Sequence, residues 1–210
     1  MMLSRRALLS GVGAVIAAPA LWLPQPALAG AQVEEPLADA VRTALSAAVA
    51  EAAPPRPAFD TIDARLAYLR WLGAASEKLK RRKAEHHTRI EFLETLWYES
   101  RRAGLETSLV LALVQVESGF RKYAISSAGA RGYMQVMPFW ARLIGDGDSR
   151  RLFHLQINLR FGCTILRHYL EREKGDVFLA LGRYNGSRGR AEYPDMVFGA
   201  RRQWRVEPAA

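Results

Sequence analysis

With 210 residues, half of them hydrophobic and five of them Trp, the chain can bury a core, which excludes wholesale disorder and leaves room for one domain with extensions. Its formal charge of +9 favours an anionic partner, whether nucleic acid, membrane surface or acidic polymer, without choosing among them. The single cysteine, Cys163, excludes an internal disulfide. Its place in the apolar series Leu159, Cys163, Leu166, Leu170 predicts a small buried hydrophobe rather than a catalytic thiol.

Arg5 and Arg6 precede an apolar stretch from Ala7 to Leu23, and the small-residue triplet Ala27-Leu28-Ala29 follows it. This is the layout of an export signal with a cleavage site. Ser4-Arg5-Arg6-Ala7-Leu8-Leu9 is similar to the twin-arginine signature, an ordinary secretory signal being the alternative. Either type predicts cleavage after Ala29, a periplasmic destination and no stable membrane span afterwards. Loss of residues 1–29 removes two arginines and no acid, lowering the charge from +9 to +7.

Residues 30–84 read as an Ala/Pro-rich linker with accessory helices. Leu37 to Ala52 can form a helix whose alanines bury little, and the prolines at 54, 55 and 57 end it. From Thr61 to Arg102, Ile62, Leu66, Leu69 and Leu72 recur at helical spacing, as do Phe92, Leu93, Leu96 and Trp97. The charged stretch Lys78 to Arg89 reads as a solvated helix face. Thr107 to Glu117 predicts a strongly apolar helix capped by Thr107 or Ser108 and ended by Gly119. Tyr123 to Met137 has no helical period and predicts loops with a short hairpin. Helical signals resume over 139–144, 158–173 and 177–181, and a second loop follows at 184–189. The expectation is a mostly α chain with two Gly-containing loops.

Glu117 stands out chemically. Helical spacing places it on one face with Val110, Leu113 and Val114, so its carboxyl lies at the end of an apolar stripe. A carboxyl against apolar surface resists ionisation and can serve as a general acid. A solvent-facing residue at a helix end is the plainer alternative.

Three blocks in order carry a resemblance to a known family. They are Glu117-Ser118-Gly119-Phe120, the long run from Ser126 to Pro138 (SSAGARGYMQVMP), and Leu181-Gly182-Arg183-Tyr184-Asn185-Gly186. With these blocks the chain resembles the soluble lytic transglycosylases of the goose-lysozyme-like superfamily, over about 85 to 205. The resemblance implies a lysozyme-like α+β domain with a minor β-hairpin region. It also implies Glu117 as the acid/base, with Ser126, Gln135, Met137, Tyr184 and Asn185 along the glycan groove. Tyr133 stands where the family usually has Leu, Arg183 where a small residue is common, and Gly186-Ser187 where Ala-Gly is usual; these departures touch subsites more than the reaction.

Most glycosidases flank the scissile bond with two carboxylates. From Ser118 to Gly145 the chain contains no Asp or Glu, and Asp146 and Asp148 sit in a Gly-Asp-Gly-Asp run that reads as a turn. The resemblance implies cleavage of peptidoglycan between N-acetylmuramic acid and N-acetylglucosamine, with the muramyl 6-hydroxyl attacking in place of water, and the acid-free stretch agrees with it. A lysozyme-type hydrolase using Asp146 or Asp148, and a non-catalytic wall-binding or assembly protein, are the competing readings. Glycan strands are the expected partner, with a cell-wall or secretion-complex protein as a second. Arg121, Lys122, Arg131 and Arg142 either attract the acidic stem peptides or simply solubilise the domain. Nothing in the pattern calls for nucleic acid, cofactor or metal; His86, His87, His154 and His168 lack ligand-like spacing.

Overall fold

The structure is a computed structural model that describes residues 32–50 and 57–206, so the export segment 1–29 lies outside the described residues. These residues form eight α-helices: α1 (Asp39–Ala50), α2 (Ile62–Leu79), α3 (His86–Arg102), α4 (Thr107–Ser118), α5 (Pro138–Ile144), α6 (Leu155–Arg172), α7 (Val177–Asn185) and α8 (Glu192–Trp204), with a short 3-10 helix at Ser149–Phe153. Extended structure among them amounts to two isolated bridges, Ile125 with Arg131 and Arg131 with Val136, within the loop from Tyr123 to Met137, the Gly-rich segment.

α4 is the axis of the fold. It is apolar nearly all round, and a helix of that kind is stable only when wrapped on all sides. Leu109 to Val114 are fully enclosed, chiefly by α3 and α8. Each of its buried leucines contributes about 1.5–3 kcal/mol. Neither Thr107 nor Ser108 caps it; Glu106 holds the N-cap position without a side-chain bond. At the other end Gly119 takes φ +57, the left-handed conformation that ends a helix at least cost with glycine.

α6 packs on α3, α7 and α1. A buried ion pair joins it to α3, Arg160 Nη2 donating to Glu99 Oε1 at 2.9 Å. α1 lies against α5 and α6 and sends Leu45 into the core, so its alanines matter less than its few larger side chains.

The charged stretch Lys78 to Arg89 is not one solvated helix face. α2 ends at Leu79, and Glu85 starts α3 by accepting from the amides of His87 (2.8 Å) and Thr88 (2.5 Å). Arg89 is buried, donating to Ser76 Oγ at 2.9 Å and to the carbonyls of Lys83 and Ala84. A chain reversal needs its carbonyls satisfied, and a guanidinium can serve several at once. The apolar spacing in α2 also faces a direction that the sequence does not reveal: Ile62, Leu66 and Leu69 are 78%, 42% and 48% exposed. Tyr68, Ala75 and Leu79 form the buried face instead.

Candidate active site

Glu117 occupies the last turn of α4, where α8 crosses. α8 is held to α4 at its far end by Trp204, whose Nε1 donates to Gln115 Oε1 at 2.9 Å. Its first turn brings Tyr193 onto Glu117, with the phenol donating to Oε1 at 2.5 Å. Glu117 is only 2% exposed. Burial penalises its ionised form and pushes its pKa up to about 8, against the opposing pull of the Tyr193 hydrogen bond. Neither influence is a charged neighbour. At neutral pH the group is a protonated acid.

α7 supplies Tyr184, whose ring is buried and whose hydroxyl donates to the Met134 carbonyl at 2.7 Å. Burial, and after it the negative charge of ionised Glu117, raises this phenol well above its ordinary value, as also happens at Tyr193. Glu117, Tyr184 and Tyr193 thus share one electrostatic neighbourhood.

The Gly-rich segment is pinned beside this cluster by its own backbone. Ser118 Oγ donates to the Tyr133 carbonyl at 2.7 Å, one residue beyond Glu117. Asn158 of α6 accepts from the Met134 amide at 2.8 Å and donates to the carbonyls of Arg131 (2.8 Å) and Leu152 (2.7 Å). That clamp requires Gly132: at φ +76, a Cβ there would lie 2.3 Å from Asn158 Nδ2. Glycine is the residue that permits both the angle and the approach.

Within the segment, the polar groups read from the sequence are already partly engaged. Ser126 Oγ accepts from the Ala130 amide at 3.0 Å, which leaves its own hydrogen free to be donated. Gln135, at φ +50, gives its amide hydrogens to the carbonyls of Ala124 (3.1 Å) and Gly132 (2.9 Å). Its Oε1 is buried and has no hydrogen-bond partner. Asn185 Nδ2 donates to Ser187 Oγ at 3.0 Å, and its Oδ1 is likewise unpartnered. Met137 is half-buried at the start of α5. The free valences are therefore one hydroxyl hydrogen, two amide oxygens and the second amide hydrogen of Asn185.

Tyr193 is absent from the residues singled out by sequence. The available signal was Pro194 in a first turn with Glu192 and Asp195, the usual signature of a helix N-terminus. The departures at Tyr133 and Arg183 have structural partners. Lys83 Nζ donates to the Tyr133 hydroxyl at 2.8 Å, and Arg183 bridges Glu173 and Glu35. Asp146 pairs with Arg151, and Asp148 with Arg150 at 2.9 Å while capping the 3-10 helix. These bonds hold both carboxyls below their ordinary range. A cavity of about 590 Å³ between α1, α5 and α6 is lined by both aspartates, and Glu117 is not part of its lining. No cluster of three or more His, Cys, Asp or Glu side chains able to hold a metal occurs among the described residues. Cys163 is buried, with its thiol pKa raised.

The transglycosylase SLT domain family matches residues 95–199, which takes in Glu117, the Gly-rich segment, α7 and Tyr193. The chain belongs to this family. Among its relatives is a transglycosylase of Enterobacteria phage PRD1, 33% identical over 104 residues, or 50% of this chain and 38% of that protein. The membrane-bound lytic murein transglycosylase C of Glaesserella parasuis is 51% identical over 84 residues, covering 34% of this chain and 23% of the relative. That of Mannheimia succiniciproducens is 47% identical over 51 residues, 24% and 14% of the two chains. A solved structure, an inactive mutant of the lytic transglycosylase Slt from Pseudomonas aeruginosa, aligns at 25% identity with a TM-score of 0.43, over 67% of this chain and 27% of that one. The chain thus spans well under half the length of each of these proteins. No described helix is long and apolar enough to cross a membrane.

Proposed function

We propose that this SLT-family chain is an exported peptidoglycan lytic transglycosylase, with residues 85–205 as its catalytic domain. On this reading it cleaves the β-1,4 bond between N-acetylmuramic acid and N-acetylglucosamine and leaves a 1,6-anhydro-muramyl end. The observation that supports it best is a buried carboxyl with no cationic partner, Glu117, that stays protonated at neutral pH and has a phenol ready to hold its anion.

Glu117 gives its proton to the glycosidic oxygen as the bond to the muramyl C1 breaks. The N-acetyl group of that sugar supports the positive charge developing at C1. The Glu117 carboxylate, now accepting the Tyr193 hydrogen bond as an anion, is stabilised by a charge-assisted bond. It then takes the proton from the muramyl 6-hydroxyl as that oxygen attacks C1, which restores the acid and closes the anhydro ring. One group serves as acid and then as base. No water enters the step, and no second carboxylate is needed to activate one.

The Ser126 hydroxyl hydrogen supplies a donor for sugar hydroxyl and acetamido groups and Met137 an apolar wall, while Gln135 and Asn185, whose unpartnered oxygens are buried, meet the strand only after their side chains turn. Glycan strands are the substrate, and residues 30–84 brace the domain or meet a partner. The test is digestion of purified sacculi by the protein and by Glu117→Gln, with mass analysis of the released muropeptides. Products one water lighter than hydrolytic fragments, and none from the variant, support the proposal. Reducing-end products would assign a lysozyme, and no release by the unaltered protein would favour a binding role.

A further inference from the structure

From Ile62 to Gly73 the outward face of α2 is apolar and has no partner among the described residues. Successive helical residues turn by about 100°, so Ile62, Leu66, Leu69 and Gly73 fall within about 60° of one another, the buried Tyr68, Ala75 and Leu79 lie about 130° away round the helix, and the stripe ends where Ser76 is buried under Arg89. All four outward residues are exposed, and a Cβ built on Gly73 would meet nothing within 4 Å. The spacing 62, 66, 69, 73 is the alternating four-three interval of a coiled-coil seam. Asp63 and Arg70 share one flank of that seam, and neither is ion-paired among the described residues.

We propose that α2 is a dimerisation helix that pairs antiparallel with α2 of a second copy about a two-fold axis near its middle. The stripe is complementary to its own reversal. With Leu66 opposite Leu69 of the second copy, Ile62 falls opposite Gly73, so a large side chain meets a residue with none. The same register brings Asp63 beside Arg70 of the second copy, and the two-fold axis forms that ion pair twice. A parallel arrangement would instead place Asp63 and its copy on opposite flanks of the seam and set Arg65 of one helix beside Arg70 of the other, two like charges. A two-fold interface must be self-complementary in this manner. A groove of about 510 Å³ beside the stripe, lined in part by Phe59, Ile62, Arg65, Leu69 and Glu94, receives the flank of the second helix. Three turns of helix bury less than the roughly 1,600 Å² of a standard stable interface, so association is weak and concentration-dependent.

The experiment is mass measurement by light scattering over a concentration series for the purified protein, Leu66→Glu, Asp63→Lys and the double exchange Asp63→Lys/Arg70→Glu. All substituted side chains are exposed, and circular dichroism checks that each variant is folded. The unaltered protein rises towards twice its monomer mass, Leu66→Glu stays monomeric, Asp63→Lys dimerises at least several-fold more weakly, and the double exchange returns to within about twofold of the original. Oxidation of Leu66→Cys/Leu69→Cys gives a crosslink between position 66 of one copy and position 69 of the other. A protein monomeric at every concentration, a dimer indifferent to Leu66→Glu, or a 66-to-66 crosslink overturns the proposal. So does a monomer that sediments with anionic phospholipid vesicles through this stripe, since the occupant is then a lipid surface.

Discussion

Replacing Glu117 by Gln should stabilise the protein, by an amount that depends on pH in a defined way. The carboxyl has a pKa of about 8 when folded, against an ordinary value of 4.5. Below pH 4.5 both folded and unfolded states carry the proton, and the side chain adds no pH dependence. Between 4.5 and 8 the unfolded chain ionises while the folded one holds its proton. Unfolding therefore releases a proton, and folding stability falls by about 1.4 kcal/mol per pH unit. Above 8 both states are ionised and the loss levels off, at a total of about 5 kcal/mol. At pH 7 the deficit is about 3 kcal/mol, which corresponds to a melting temperature on the order of 10 °C lower for a domain of this size. Gln has nearly the same shape, its oxygen can still accept from Tyr193, and it has no charge to bury. The assay is denaturant unfolding of both proteins at pH 4, 5.5, 7 and 8.5, in which every other titrating group cancels in the difference. The gap should widen steadily from pH 4 to pH 8 and then stay constant. Parallel stability curves would show that Glu117 titrates near its ordinary value, which would remove the physical basis for treating it as the acid.

Three further outcomes are expected. Tyr193→Phe removes a hydrogen bond that lowers the Glu117 pKa, so the alkaline fall in activity near pH 8 should move upward while the maximal rate drops roughly 10- to 100-fold, the worth of a hydrogen bond to a charged group; an unmoved pH profile would refute the role given to the phenol. Asp146→Asn/Asp148→Asn removes both surface pairs with Arg151 and Arg150 and should leave turnover within about twofold, since exposed pairs are worth under about 1 kcal/mol, whereas loss of activity would favour the hydrolase reading. Asn158→Ala leaves the Met134 amide and two carbonyls of the Gly-rich segment without their partner, and chemical denaturation should show a loss of about 3–5 kcal/mol; a loss under about 1 kcal/mol would mean that the clamp is dispensable.

Much of the fold was legible because it depends on local pattern. The apolar run of α4 and the glycine that ends it are readable in one dimension, and the position of Glu117 within them follows directly. The Gly-rich segment was readable as non-helical for the same reason. Tyr193 was not, because its contact with Glu117 spans 76 residues and no local rule links α8 to the end of α4. Periodicity identified an apolar face on α2 but not its direction; Tyr68, Ala75 and Leu79 fit the core, and the longer stripe is turned outward. At Gln135 and Asn185 the residue type was visible, but which of their atoms are already satisfied is a property of the folded backbone. Both amide hydrogens of Gln135 and one of Asn185 are spent within the protein, and the oxygens are not. Arg89 shows the same limit: a charge in a charged stretch looks solvated until the turn whose carbonyls it satisfies is formed.

The central claim is that Glu117 works alone and that the sugar's own hydroxyl replaces water. It is tested most directly by digesting peptidoglycan in water enriched in ¹⁸O and weighing the newly formed muramyl ends. The account predicts anhydro ends that carry no label and are lighter than hydrolytic ends by one water. One ¹⁸O atom at each new reducing end would contradict it, and would require a second group that activates water at C1.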